Sequence, residues 1–174
     1  TGADGFFYVL GTEPNWPDSS LQTLQLQQSS LQIQRVSVST APLISLTLHP
    51  SVLLRDSTDF YRKDLFGMVS ESGAIFLYTN EAELAASFSM GQSATAESDL
   101  RFVDMDGDNN LDIGLAGNFG RLFAWTIITQ ERLFELPTAS MRYPMFADLN
   151  RDGQQELVAL TRDGLRCWTL NQVP

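Results

Sequence analysis

The sequence has almost none of the residue types on which most enzyme chemistry turns. It holds one cysteine, one histidine and one lysine in 174 residues. A single Cys167 excludes an intramolecular disulfide framework and any multi-cysteine zinc site. A single His49 excludes paired-histidine catalysis and a histidine-rich metal centre, and Schiff-base chemistry has only Lys63. Long apolar runs are missing too, and none approaches the roughly 18 residues that span a bilayer. Positive charge is scarce: 11 Lys and Arg stand against 21 Asp and Glu, a net charge of -10. That balance argues against nucleic acid, whose phosphates need a basic face. It also argues against an anionic membrane surface.

What remains is apolar material for a core. Hydrophobic residues make up 43% and charged residues 18%, the balance of a folded chain rather than a disordered tail. The length suits one domain or a slightly oversized one. The chain opens Thr1-Gly2 without Met, which marks a processed product or a fragment. Helical periodicity is nearly absent. Its closest approach is Glu81 to Met90, where one or two helical turns are expected. The rest reads as short strands between Gly, Asn, Asp, Ser and Pro. Residues 5–10 form one such strand, and the alternation over 21–28 and 31–38 gives two half-exposed ones.

Three segments of the chain repeat. They are Asp64 to Tyr78, Asp112 to Trp125 and Glu156 to Trp168. Each is an acid, an apolar strand, a Gly turn and a second strand carrying an aromatic. The turn glycines Gly73, Gly120 and Gly164 lie 47 and 44 residues apart. Asp4-Gly5 and the aromatics after it match the tail of a still earlier unit. Upstream of each acid runs another strand ending in Asp, at Asp56, Asp104 and Asp148. Three or four strands in about 45 residues describe a β-propeller blade, so the expected class is all-β. Neighbouring blades must stack, because one blade cannot bury both its faces. The expected divisions are 1–48, the remnant of an earlier blade; 49–92, a blade with a degenerate acidic loop; 93–137, a blade with a calcium loop; and 138–174, a calcium-loop blade without its outer strand.

Two acidic loops join first and second strands. One is Asp104-Met-Asp106-Gly-Asp108-Asn-Asn110-Leu-Asp112, the other Asp148-Leu-Asn150-Arg-Asp152-Gly-Gln154-Gln-Glu156. Oxygen side chains fall at positions 1, 3, 5 and 9 of the nine, and Gly107 or Gly153 allows a tight turn. Carboxylates this close repel one another unless a cation sits among them. Ca²⁺, which takes oxygen ligands from side chains, a backbone carbonyl and water, fits them, with position 7 supplying the carbonyl. An EF-hand is excluded, since Gly107 stands at position 4 rather than 6 and Asp112 closes at position 9 rather than 12. In the first unit, Asp56 to Asp64 keeps positions 1 and 9 but carries Arg62 and Lys63. There no metal is expected, and one of these cations is expected to pair with Asp56 or Asp64.

At these residues the sequence resembles the FG-GAP/VCBS repeat family, the calcium-loop β-propellers that include the integrin α-subunit head. The resemblance covers residues 97–170 and extends more loosely over 50–92. It implies Ca²⁺ ligands Asp104, Asp106, Asp108, Asn110 and Asp112 in one site, and Asp148, Asn150, Asp152, Gln154 and Glu156 in the other. Asn109, Asn150, Arg151 and Glu156 depart from the family pattern.

Other residues have plainer readings. Trp125 and Trp168 occupy matching repeat positions and read as blade packing. Trp16 is a loop anchor or a surface binding aromatic. Cys167 reads as a buried inert thiol, His49 as structural or solvated, and Glu97 and Asp99 as solvated turn acids before a strand. The expected function is non-catalytic: a calcium-stabilised binding or scaffold module outside the cytoplasm (extracellular, cell-surface or periplasmic), meeting a protein or glycan partner or the remaining propeller blades. A structural subunit of a large assembly is the first alternative, and a propeller domain of a carbohydrate-active enzyme the second.

Overall fold

The computed structural model describes residues 6–11, 19–27, 30–39, 42–55, 58–95, 98–117 and 119–170, with backbone pairing alone over 6–39. Among these residues every regular element is a strand, and the strands form four antiparallel sheets in chain order. The first sheet holds β1 (Phe6–Gly11), β2 (Ser19–Gln27) and β3 (Ser30–Ser39). The second holds β4 (Leu43–Arg55), β5 (Phe60–Ser70), β6 (Ala74–Thr79) and β7 (Leu84–Ser89). The third holds β8 (Asp99–Val103), β9 (Asp112–Ala116), β10 (Arg121–Thr126) and β11 (Arg132–Pro137). The fourth holds β12 (Met141–Ala147), β13 (Glu156–Thr161) and β14 (Gly164–Thr169). Each sheet is a meander in which every strand pairs with its sequence neighbour. This is an arc of β-propeller blades.

The core lies between sheets rather than within one. Leu65, Val69, Ile75 and Leu77 of the second sheet pack with Leu100, Ile113, Leu115, Phe123 and Trp125 of the third. The opposite face of the third sheet, through Ala116, Leu122 and Ala124, packs with Met141, Leu157 and Ala159 of the fourth. Strand periodicity makes this possible: alternate residues point to opposite faces, so a strand held between two neighbours must be apolar on both. Hence β9 is buried throughout, while β13 leaves Leu160 exposed. Each fully buried Leu or Ile contributes about 1.5–3 kcal/mol, so these faces hold the arc together.

Gly67 permits the close approach of the second and third sheets, since a Cβ there would clash with Leu100 Cδ2, and Gly114 makes room for Met105 from the loop of its own sheet. Between the second and third sheets, Phe88 meets Trp125 at 5.8 Å between ring centroids. The Arg132 guanidinium covers both Phe123 and Trp125, at 5.6 and 5.7 Å, and donates to the Ser89 carbonyl at 3.1 Å. Trp125 is therefore blade packing, and Trp168 packs in the same way against the next cluster.

Three expectations are corrected. Residues 81–90 form no helical turn; β7 runs through them as the outer strand, alternating buried Ala86 and Phe88 with exposed Ser87 and Ser89. The second sheet begins at Leu43, not at residue 49, because Leu43 to His49 already pair with β5. Cys167 is exposed, since it lies on the face of β14 that none of the described sheets covers. His49 sits within β4, its Nδ1 beside the Pro50 carbonyl and its ring 5.6 Å from that of Phe102. Asp99 opens β8 and pairs with Arg101 at 2.5 Å; burial raises its pKa and Arg101 opposes the rise. Asp4, Trp16, Asp56 and Glu97 lie outside the described residues.

Candidate metal centre

The loop between β8 and β9 wraps round its own carboxylates. Asp104 accepts from the backbone N–H groups of Gly107 (2.8 Å) and Asn109 (2.9 Å), one on each oxygen. Asp106 accepts from Asp108 N–H and Asp108 from Asn110 N–H, at 3.1 and 2.7 Å. These short side-chain-to-backbone turns are what Asp and Asn form readily. They draw Asp104, Asp106 and Asp108 together, with one oxygen from each lying within 4.8 Å of the others. Oxygens sharing one Ca²⁺ at 2.3–2.6 Å lie at most about 5 Å apart, so the donor type and spacing fit that ion.

The loop between β12 and β13 folds on the same plan. Asp148 accepts from Asp152 and Gly153 N–H at 3.1 and 3.0 Å, Asn150 Oδ1 from Asp152 N–H at 2.9 Å, and Asp152 from Gln154 N–H at 2.9 Å. In both loops positions 4 and 6 are left-handed: Gly107 (φ 82°) and Asn109 (φ 65°) in one, Arg151 (φ 64°) and Gly153 (φ 90°) in the other. Glycine moves between the two positions and the backbone does not. One difference is chemical. At position 3 the second loop has Asn150, whose amide donates to Asp152 Oδ2 at 2.9 Å and Glu156 Oε1 at 3.2 Å. Where the first loop gathers three carboxylates, the second places an N–H donor between two.

The closing acid is buried in each loop. Asp112 is 2% exposed and Glu156 3%. Asp112 Oδ2 accepts Met105 N–H at 2.9 Å, and Glu156 Oε2 accepts Leu149 N–H at 2.8 Å. Burial pushes the Asp112 pKa up to about 7; the Met105 N–H opposes this, and the charges of Asp106, Asp108 and Asp104 add to it. Asp106 is raised as well, again by burial first. Of the position 7 residues, Asn110 turns its side-chain amide onto Asp108 Oδ2 at 2.9 Å.

The first repeat builds no such loop. Strand pairing extends past it, from Val52–Arg55 to Phe60–Lys63, so a hairpin stands where the other units have an acidic loop. Register also moves the closing position. Each third strand ends in an aromatic and a threonine, and the threonines Thr79, Thr126 and Thr169 pair with Leu65, Asp112 and Glu156. Leu65, fully buried, therefore replaces the acid, and Asp64 lies one residue outside the frame. Asp64 instead accepts Ser51 N–H at 2.9 Å. Lys63 pairs with Glu81 at 2.6 Å, and Arg62 donates to the Ser51 carbonyl, so neither makes the expected pair with Asp64. The aromatic-threonine pair was the signal in the sequence that fixes this frame.

A cavity of about 570 Å³ opens beside the first loop. Its lining includes Asp106, Asp108 and Asp112 together with Leu53 and Phe60 of the hairpin and Ile127.

Similarity to solved structures agrees with the fold. The chain resembles BBS1N in the crystal structure of its complex with ARL6DN, at a TM-score of 0.63 and 14% identity over 98% of this chain and 44% of that one. It also resembles Sqt1 of Saccharomyces cerevisiae, at a TM-score of 0.62 and 15% identity over 87% of this chain and 42% of that one. The chain thus spans less than half the length of either. No family model and no curated protein matches the sequence.

Proposed function

We propose that this arc of blades is a non-catalytic protein-binding or scaffold module whose acidic loops hold Ca²⁺. The observation that carries the reading is the convergence of Asp104, Asp106 and Asp108 within 4.8 Å, beside a buried Asp112. Concentrated negative charge of this kind costs stability unless a cation joins it, and oxygen donors favour a hard divalent ion. Asp148, Asn150, Asp152 and Glu156 supply a second, weaker site, because Asn150 already satisfies two of its acids. The calcium loops carry the resemblance to FG-GAP/VCBS repeats, and the propeller fold shared with BBS1N, solved with ARL6DN, supports a protein partner. We assign the module to an extracytoplasmic setting, where calcium is abundant enough to fill weak exposed sites. The structural-subunit reading gains from the open face of the fourth sheet.

A thermal melt in EDTA and across a Ca²⁺ titration, with Mg²⁺ as control, tests the metal. The melting temperature is expected to climb with Ca²⁺ and to ignore Mg²⁺. A cooperative melt indifferent to Ca²⁺ would leave the fold standing and remove the cofactor.

A further inference from the structure

The cavity beside the first acidic loop is lined from two sheets. Leu53 of β4 and Phe60 of β5 come from the second, and its other described residues come from the third. It lies where the first repeat departs from the other two, since Leu53 and Phe60 belong to the hairpin that replaces an acidic loop there. Among the described residues, six of the lining side chains are apolar, four are carboxylates (Asp106, Asp108, Asp112 and Glu131), and none is Lys, Arg or His. The Phe60 side chain is 54% exposed, a large apolar ring left uncovered at the cavity. Asp112 is 2% exposed, and of its two oxygens only Oδ2 has a hydrogen-bond partner among the described residues, the Met105 N–H. A volume of about 570 Å³ is that of a site for a side chain or a small molecule, well beyond what one metal ion occupies.

We propose that this cavity receives an arginine side chain, flanked by apolar residues, from a protein partner. The inference rests on the protein-binding reading of the module and not on calcium. Charge selects the head group: four carboxylates without a basic residue among them favour a cation, and the net charge of -10 steers basic partners toward the chain. The mixed lining selects guanidinium over ammonium. Guanidinium is planar, weakly hydrated, able to donate to several carboxylates at once and able to pack on a ring, whereas ammonium holds its water tightly. The Phe60 ring already accepts one such group, the guanidinium of Arg55, with Cζ 5.6 Å from the ring centroid, and Arg55 itself does not line the cavity. Leu53, Ile127 and Leu133 supply apolar surface for the arginine stem and the residues beside it. Bound Ca²⁺ would offset two of the five negative charges on Asp104, Asp106, Asp108, Asp112 and Glu131, and three would remain. The metal therefore weakens the site without closing it.

The test is a chemical-shift titration of the full 174-residue chain with the end-capped tripeptide Leu-Arg-Leu, in EDTA and in saturating Ca²⁺. Saturable shifts of the Leu111, Ile127 and Ile128 amides are expected in both, with weaker binding in Ca²⁺. Capped Leu-Gln-Leu should bind at least about tenfold more weakly, and Leu-Glu-Leu should not bind. Glu131→Gln and Phe60→Ala should each weaken Leu-Arg-Leu by about threefold. Both side chains are exposed and neither belongs to the metal set, so the calcium response of the melt should stay as it was. Glu71→Gln, an exposed acid after the far end of β5, should leave binding unchanged. Equal binding of Leu-Gln-Leu overturns the proposal, as does binding that both cavity variants leave intact. Abolition of binding by Ca²⁺ overturns it too, because the acids would then be spent on the metal, whose own reading would stand. Leu-Arg-Leu binding in a chain whose melt ignores Ca²⁺ overturns the metal reading alone.

Discussion

The third and fourth sheets match through their first three strands and the loop between the first two, and two of their differences are instructive. Among the described residues, the third is covered on both faces and the fourth on one. The third closes its loop round three carboxylates, while the fourth replaces the middle one with Asn150. The first difference shows that a blade's apolar content answers to its neighbours rather than to its own strands. The second shows how little separates a loop that gathers three carboxylates from one that partly satisfies itself: one oxygen exchanged for an N–H.

The comparison breaks most sharply at matched leucines. Leu122→Ala empties a fully buried site and should cost about 2–5 kcal/mol. Leu165→Ala, its positional twin, is exposed and should change stability by less than about 0.5 kcal/mol. Urea unfolding at low protein concentration reads both, and equal costs would mean that the fourth sheet is covered after all.

At the loops, Ca²⁺ at 100-fold over its Kd should add ~2.7 kcal/mol per site. Asp106→Asn should remove the larger part of the calcium response, while Asn150→Asp should enlarge the response of the second loop and lower stability in EDTA. A calorimetric titration of each variant separates the loops; an unchanged response in Asp106→Asn would assign the metal elsewhere.

Acid titration gives the next effect. Folded Asp112 holds its proton up to about pH 7, where an unfolded aspartate has long lost its own. The folded state therefore binds more protons between about pH 4 and 7, and stability in EDTA falls as pH rises through that window, on the order of 2 kcal/mol between pH 5 and 7. The groups acting on Asp112 are the carboxylates of Asp104, Asp106 and Asp108 and the Met105 N–H, and Glu131 lines the same cavity. Ca²⁺ competes with that proton, so its affinity should weaken below pH 7. Asp112→Asn should flatten the slope seen in EDTA.

The smallest change sits at Arg151, a non-glycine residue held at φ 64° where the first loop has Gly107. Arg151→Gly should stabilise by roughly 0.5–1 kcal/mol, while Gly107→Ala should destabilise by a similar amount. Thermal melts of the two variants should move in opposite directions.

Much of this was legible in the sequence. The four strands of the third sheet and the three of the fourth follow from apolar runs broken by acidic loops and Gly turns. The two nine-residue loops were visible because Asp and Asn at alternate positions have one natural local geometry. The first repeat misled because Asp64 imitates a closing acid: the acid is plain in the sequence, while the subtler Tyr78-Thr79 pair, whose threonine meets Leu65, marks it as one residue out of frame. β7 was obscured by Ala85 and Ala86, which favour helices in isolation and here are overruled by pairing with β6. The exposure of Cys167 depends on what lies beyond β14, which no local pattern records.

The meander topology has a kinetic and dynamic consequence. Every backbone hydrogen-bond ladder closes between strands adjacent in sequence, so a sheet can form and open without disturbing the register of the others. What couples the sheets is the side-chain packing between them, and cooperativity passes along the arc one interface at a time. Opening should therefore begin at the singly covered fourth sheet and advance inward, with amide protons of β14 exchanging first and those of β9 and β10, clamped on both sides, exchanging last.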